Sequence, residues 1–443
     1  MRILHVVQRY WPYTGGSERH LQEISERLAR EGHEVTVLTT DAWDLELFWS
    51  RGKKRVEARE EVHEGVRIRR FRVQHLPRPR FAFPAVRRLT LEASRLPLVS
   101  EGLLLRLSRY APWVPALAQE LESTAEQYDV VHAMNICFEG LAWAALRYAR
   151  RCGAGYILTP LTHLGEQEDD HVRRYYTMRH QTWLERESDA ILAQTNAERR
   201  YLIGQGVSEG CIVIAGVGVN PGEVLGGCGA RFRRRYGVEG PVVAFLGATA
   251  YDKGTHHSVE AMKSLWQQGM DVTLAIAGPT MDQFTGYYQQ LSVDERRRCR
   301  LLGFIPEQDK RDLLAAAQLL VMPSRTDSLG IVYLEAWLYG KPVIGAWAGG
   351  VPDVIDDEQD GFLVKFGDVQ GIANRLRRLL LDQDLAVSMG ERGRQKVLSR
   401  YTWDAVYPRV REVYEQLWQR RKPPPNHKQL EAETLMAERS TSS

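Results

Sequence analysis

Short runs that are apolar at every position, each set off by a helical pattern, recur along this chain and limit the sheet it can form. Residues 242–246 and 319–322 contain no polar alternation. Strands of that kind have no face for solvent and belong in parallel sheets covered on both sides. Residues 17–30 place Leu21, Ile24 and Leu28 at helical spacing, with Gly32 as the stop. That helix lies between strands expected at 2–8 and 34–40, a βαβ opening. Further strands are expected at 128–133, 155–159, 190–194 and 211–215. After Gly240 the series restarts, with strands at 242–246, 272–277, 319–322 and 342–346 and helices at 256–267 and 331–339.

A glycine-rich stretch, 216–229, and a basic run, 231–235, separate the two series. The reading is α/β with two Rossmann-like doubly wound domains, 1–220 and 221–400. A chain of 443 residues also exceeds one ordinary core. Residues 421–443, with Pro423 to Pro425 near their start, read as a disordered tail.

Charge excludes some functions. Lys and Arg number 59 against 56 Asp and Glu, a net +3 that does not suit a dedicated nucleic-acid binder. No stretch approaches the roughly 18 apolar residues of a bilayer span. The first residues lack the apolar length and cleavage site of a signal peptide. Five scattered cysteines form neither a metal pattern nor a disulfide framework, so a cytoplasmic protein is expected.

The balance is local in one place. Residues 64–119 hold eleven arginines against Glu64, Glu92, Glu101 and no other acid, with Phe71, Phe81, Phe83, Leu89 and Trp113 among them. Two readings stay open. One is a helical insertion whose arginines are solvated or pair with acids elsewhere. The other is a basic, apolar flap that rests on anionic lipid at the inner face of the membrane or grips an anionic acceptor.

The chemistry concentrates in residues 323–355, PSRTDSLGIVYLEAWLYGKPVIGAWAGGVPDVI. Amides of Ser328, Leu329, Gly330 and Ile331 open a helix, and such an end attracts phosphate. Asp327 precedes that helix and Glu335 follows eight residues later. Ionised carboxylates there suit sugar or ribose hydroxyls.

This segment, with GKPVI (340–344) and AGGVPDVI (348–355), resembles glycosyltransferase family 4. The resemblance extends to residues 8–40, which include Gly15 and Gly16, to GATAYDKG (247–254), and over most of the chain to about Arg420. It implies the GT-B fold, two domains facing across a cleft, with the donor on the second and the acceptor on the first. A final helix at 403–419 would cross back onto the first domain. It also implies metal-independent, retaining transfer from a nucleotide-diphosphate sugar, with no cofactor, to a glycan or lipid-linked acceptor in polysaccharide, glycolipid or glycoconjugate synthesis.

Carried onto this sequence, Glu335 holds the donor's ribose and Asp327, where glutamate is usual, faces the transferred sugar. Lys253 neutralises the leaving diphosphate beside Gly247. His163 binds the sugar or stabilises an oxocarbenium-like transition state, and Gly15 and Gly16 let the first loop approach diphosphate or acceptor. Gly349 and Gly350 would accompany the nucleotide or sugar. The arginine that normally accompanies the lysine is replaced by Ala248, and Arg325 is the candidate to supply the missing charge. His132 reads as a satisfied strand-end histidine.

Three rivals are weighed. A nicotinamide-dependent oxidoreductase could use Asp41 for ribose, but the first loop lacks G-x-G-x-x-G. Ala248 keeps open a non-catalytic or weakened sugar-nucleotide-binding member. An epimerase or phosphorylase on the same fold is the third.

Overall fold

A computed structural model describes residues 1–13, 15–166 and 168–420; the tail expected at 421–443 lies outside them. The first sheet holds β1 (Arg2–Val6), β2 (Glu34–Thr40), β3 (Glu60–His63), β4 (Val66–Phe71), β5 (Val130–Met134), β6 (Gly155–Thr159), β7 (Ala190–Ala193) and β8 (Ile212–Ile214). Their order is β3-β4-β2-β1-β5-β6-β7-β8, parallel except for β3 against β4. The second sheet holds β9 (Val242–Leu246), β10 (Thr273–Ala277), β11 (Cys299–Gly303), β12 (Leu319–Val321), β13 (Val343–Ala346) and β14 (Gly361–Val364). It runs β11-β10-β9-β12-β13-β14 and is parallel throughout. Strands β5, β6 and β9 are buried at every residue, which is why they are apolar or small at nearly every position.

Strand order reverses between β1 and β5 in one sheet and between β9 and β12 in the other. In open parallel sheets the crevice outside the carboxyl ends at such a reversal is the binding position. Here β1 leads toward Gly15 and Gly16, and β6 into the loop with His163. Strand β9 leads to Gly247 and Lys253, and β12 to Arg325, Asp327 and Ser328.

The span 64–119 differs from a purely helical insertion. It opens with β4, paired along β2 from Thr36↔Arg67 to Thr40↔Phe71, before the helices Pro79–Ser94, Glu101–Ser108 and Pro115–Ser123. Many of its arginines meet acids brought from elsewhere. Arg69 reaches Glu120 at 2.7 Å and Glu60 at 3.0 Å, and Arg67 reaches Glu126 at 3.3 Å. Arg70 is buried against Glu61.

The chain passes between the domains twice, and the two passages touch. Val219 N–H donates to Tyr401 O at 2.8 Å, and Trp403 N–H to Val219 O at 3.2 Å. A Cβ on Gly218 would stand 2.5 Å from the Trp403 ring, so no larger residue fits there. The helix Trp403–Gln419 then buries Val406, Val410 and Tyr414 with Ile3, Ile24 and Ile157 in the core of the first domain.

A buried polar chain fixes that helix. The Tyr414 hydroxyl lies 2.5 Å from His132 Nδ1 and 3.0 Å from His5 Nε2. His132 Nε2 meets Thr159 Oγ1 at 2.8 Å, and His5 Nδ1 meets Ser25 Oγ at 2.7 Å. Ser25 donates its one proton to Leu21 O. It therefore accepts from His5 Nδ1–H, Tyr414 donates to His5 Nε2, and His132 Nδ1–H donates to Tyr414. Both imidazoles are neutral in this arrangement. Burial pushes His5 down to about 3 and His132 well below the ordinary histidine value.

Because the native pKa values are depressed, the unfolded chain binds more protons in acid. The contribution of His5 is complete above its unfolded value of 6.5 and is lost as pH falls toward about 3. Tyr414→Phe leaves two buried ring nitrogens unpaired, at about 1–3 kcal/mol each. Thermal and urea unfolding across pH should show the acid loss in the parent and a lower midpoint in the variant at neutral pH.

Candidate active site

The helix Ile331–Leu338 begins at Gly330, whose φ of +90° few other residues adopt. The turn before it carries Asp327. One carboxylate oxygen, Oδ1, accepts from Lys253 Nζ at 2.8 Å; the other, Oδ2, is buried and has no partner. A buried acceptor left open in this way suits an incoming hydroxyl. Burial works against the charge on Asp327, but Lys253, the Ser324 hydroxyl and His163 outweigh it and hold the carboxyl below its usual range.

His163 approaches from the first domain. Its ring stacks on Tyr176 with centroids 4.5 Å apart. Burial first, then the Lys253 charge, push its pKa down to about 4, while Asp327 pulls the other way. A neutral imidazole thus stands beside a lysine–carboxylate pair whose members come from the other domain.

A cavity of about 450 Å³ opens between the domains, lined by Gly15, Gly16 and Arg19 on one side and Gly247, Ile331 and Glu335 on the other. That size suits a small molecule. Glu335, 8% exposed, accepts from Lys310 Nζ at 2.9 Å, and Lys310 also pairs with Glu307 at 2.8 Å. Burial opposes the charge on Lys310, but the two glutamates together raise its pKa. Phe304, 75% exposed, stands at the cavity wall near Pro279. Among the described residues no group of three or more His, Cys, Asp or Glu is arranged to hold a metal ion.

Two family models match in tandem. Glycosyl transferase 4-like domain covers residues 15–218, and Glycosyl transferases group 1 covers 230–396. The chain belongs to the group 1 glycosyltransferases. It is 27% identical over 431 residues to a glycogen synthase of Mycobacterium tuberculosis, across 94% of both chains. Anabaena Alr3699/HepE, solved with UDP and glucose, superposes with a TM-score of 0.69 at 18% identity, covering 94% of this chain and 99% of that one. Sucrose-phosphate synthase of Thermosynechococcus elongatus gives 0.69 at 19% identity, covering 95% and 100%. The fold is GT-B.

In this glycosyltransferase, Lys253, Asp327 and His163 meet in one cluster, while Gly15, Gly16, Gly247, Ile331 and Glu335 line the cavity. Leu329 is buried in the second core, so only its backbone can face a ligand. Ser328 donates to Gln194 Oε1 at 2.8 Å across the domain boundary, and Gly349 N–H donates to Gly165 O at 2.8 Å.

Arg325 is not free to replace the absent arginine. Its guanidinium pairs with Asp252 at 2.8 Å, Glu166 at 3.2 Å and Asp169 at 3.4 Å, and lies over the Phe366 ring. Its backbone N–H also donates to Asp252 O at 3.0 Å, so it stitches the loops after β9 and β12 together. Asp41, the ribose acid of the oxidoreductase reading, is occupied by Val73 N–H at 2.9 Å and by Arg55. His132 has both ring nitrogens bonded.

Sequence reasoning missed Lys310 and Glu198. Buried Glu198 accepts from Thr162 N–H at 2.7 Å and Gln194 N–H at 2.8 Å, fixing the loop that presents His163. Neither position falls in a recognisable local motif; only tertiary packing reveals them.

His163 should stay neutral between about pH 5 and 8, so its ring protons should show no NMR titration there. Lys253→Ala should raise its midpoint, and Asp327→Asn should lower it further.

Proposed function

We propose that the protein transfers a sugar, with retention at the anomeric carbon and without a metal, from a nucleotide-diphosphate sugar to an acceptor hydroxyl. The observation that carries this is Asp327, one oxygen on Lys253 and the other open, beside neutral His163 and the amino end of Ile331–Leu338. The ribose falls to Glu335, next to Lys310. The binding of UDP and glucose by the Anabaena neighbour supports testing uridine donors first.

In the reaction the bond from the anomeric carbon to the phosphate oxygen breaks. The acceptor oxygen attacks the same face, and the leaving phosphate oxygen takes its proton. Lys253 and the helix amides stabilise the charge that develops on the diphosphate. With Ala248 contributing no cation, Lys310, Arg311 and Arg19 are the basic side chains lining the cavity. Asp327 Oδ2 accepts from a sugar hydroxyl, and His163 faces the positive charge that grows at the anomeric carbon as an uncharged donor or acceptor. The acceptor is a glycan or lipid-linked hydroxyl on the first domain, and the setting is polysaccharide, glycolipid or glycoconjugate synthesis.

Ala248 and the occupied Arg325 favour a second reading, a sugar-nucleotide-binding member with weak or no turnover. A screen of uridine, guanosine and adenosine diphosphate sugars should raise the unfolding midpoint with at least one donor. Acceptor-dependent release of nucleoside diphosphate, with anomeric configuration read by NMR, then separates the readings. Lys253→Ala should lower kcat by about 10²–10³, whereas Glu335→Ala should act mainly through KM, by about tenfold or more. Inverted product, or no midpoint shift with any donor, would sink the proposal.

A further inference from the structure

The helix Pro79–Ser94 shows the described chain only one of its sides. Thr90, Leu91 and Ser94 are buried, while Phe81 is 78% exposed and Leu89, two turns on, 57%. The loop beyond continues the apolar surface: Leu96 is 56% exposed and Leu98 98%. Leu103, 48% exposed, extends it onto the next helix, Glu101–Ser108. Single exposed leucines are ordinary, but five large apolar side chains within 23 residues call for a partner.

This surface is held in place. Arg87, on the inner side of the helix, reaches the buried Glu139 carboxylate with bonds of 2.7 and 2.8 Å. Arg179 donates to the carbonyls of Ser94 at 3.0 Å, Leu96 at 3.1 Å and Val99. The backbone of the loop is therefore tied to the first domain while Leu96 and Leu98 point away from it.

Its charge has one sign. Arg88 lies on the outer side of the helix and Arg106 one turn from Leu103; both are exposed, and neither forms an ion pair among the described residues. The two nearby acids are already matched, Glu92 to Arg95 at 3.1 Å and Glu101 to Arg179 at 3.4 Å. Apolar side chains that can enter the acyl boundary, flanked by unpaired arginines at headgroup level, complement an anionic bilayer.

We propose that Phe81, Leu89, Leu96, Leu98 and Leu103, with Arg88 and Arg106, seat the first domain on a membrane surface rich in anionic phospholipid. The lipid-linked acceptor it would serve rests on the transferase reading, but the binding itself does not. No helix among the described residues is long and apolar enough to cross a membrane, so the contact is peripheral.

The full chain should sediment with phosphatidylcholine vesicles containing a third phosphatidylglycerol, much less with phosphatidylcholine alone, and less at high salt. Arg88→Ala with Arg106→Ala should weaken partition by about 30-fold, from roughly one factor of five per arginine. Leu96→Ser with Leu98→Ser should abolish it. Both variants change exposed side chains only, so their unfolding midpoints and donor-induced shifts should match the parent.

Absence of anionic-vesicle binding by the parent, equal binding to neutral vesicles, or undiminished binding by either variant overturns the proposal. So does self-association, without vesicle binding, that the leucine variant removes; that result assigns the face to a second copy. Vesicle binding in a protein that no sugar nucleotide stabilises would leave this inference standing and remove the transferase reading.

Discussion

One hydroxyl group holds the two-domain arrangement in register. Tyr414 belongs to the last described helix, yet its oxygen sits between His5 of β1 and His132 of β5, at the strand reversal of the first sheet. The second domain is consequently tied to the first at both of its ends, through Val219 and through Tyr401 and Trp403. These ties lie side by side. Other contacts between the domains are Ser328 with Gln194, Gly349 with Gly165, Arg325 with Glu166 and Asp169, Asp353 with Ala197 and Arg200, and Arg19 with Glu223. Four of these residues, Gly165, Glu166, Arg325 and Ser328, lie within three positions of His163 or Asp327 in the chain.

The parts of the fold legible in the sequence are those where burial dictates composition. Strands β6 and β9 are enclosed on both sides, so their limits coincide with unbroken runs of apolar or small residues. The helix Trp403–Gln419 is implied by the family resemblance alone; in the structure its inward positions do recur at helical spacing. Strands β3, β4, β11 and β14 escaped notice. In β4, VRIRRF, the alternation is real, but its arginines cross to acids far along the chain, and charge masked the period. Strand β11 is half-buried at most positions and so lacks the apolar signature.

The site divides along the same line. Asp327 and Glu335 lie eight residues apart in one local unit, so spacing marks them, whereas Lys253, in its short glycine-bounded turn, is marked by the family resemblance. Lys310 lies 25 residues before Glu335 on a separate helix, and their ion pair exists only once the second sheet has brought the helices together. Arg325 shows the converse. Proximity in sequence to Asp327 suggested a cation for phosphate, but three carboxylates, two of them from the other domain, surround it. Sequence supplies residue types near a motif; it does not say which charges are already spent.

That distinction bears on what the missing arginine would change in the proposed reaction. Without ligand, Lys253 is matched by Asp327, and Lys310 by Glu335 and Glu307. A diphosphate entering the cleft would meet Arg311 without an acid partner among the described residues, but would have to share both lysines with carboxylates. Sharing suits both pairs. In the proposed reaction a hydroxyl on Asp327 Oδ2 would leave Oδ1 on Lys253, and a ribose on Glu335 would leave room for Lys310 to turn toward phosphate. The carboxylates hold the lysines oriented before a donor would arrive, so little reorganisation would remain for the moment of reaction. One arginine fewer therefore reduces the total positive charge of the site but leaves its preorganisation intact, because that depends on the acids as much as on the bases.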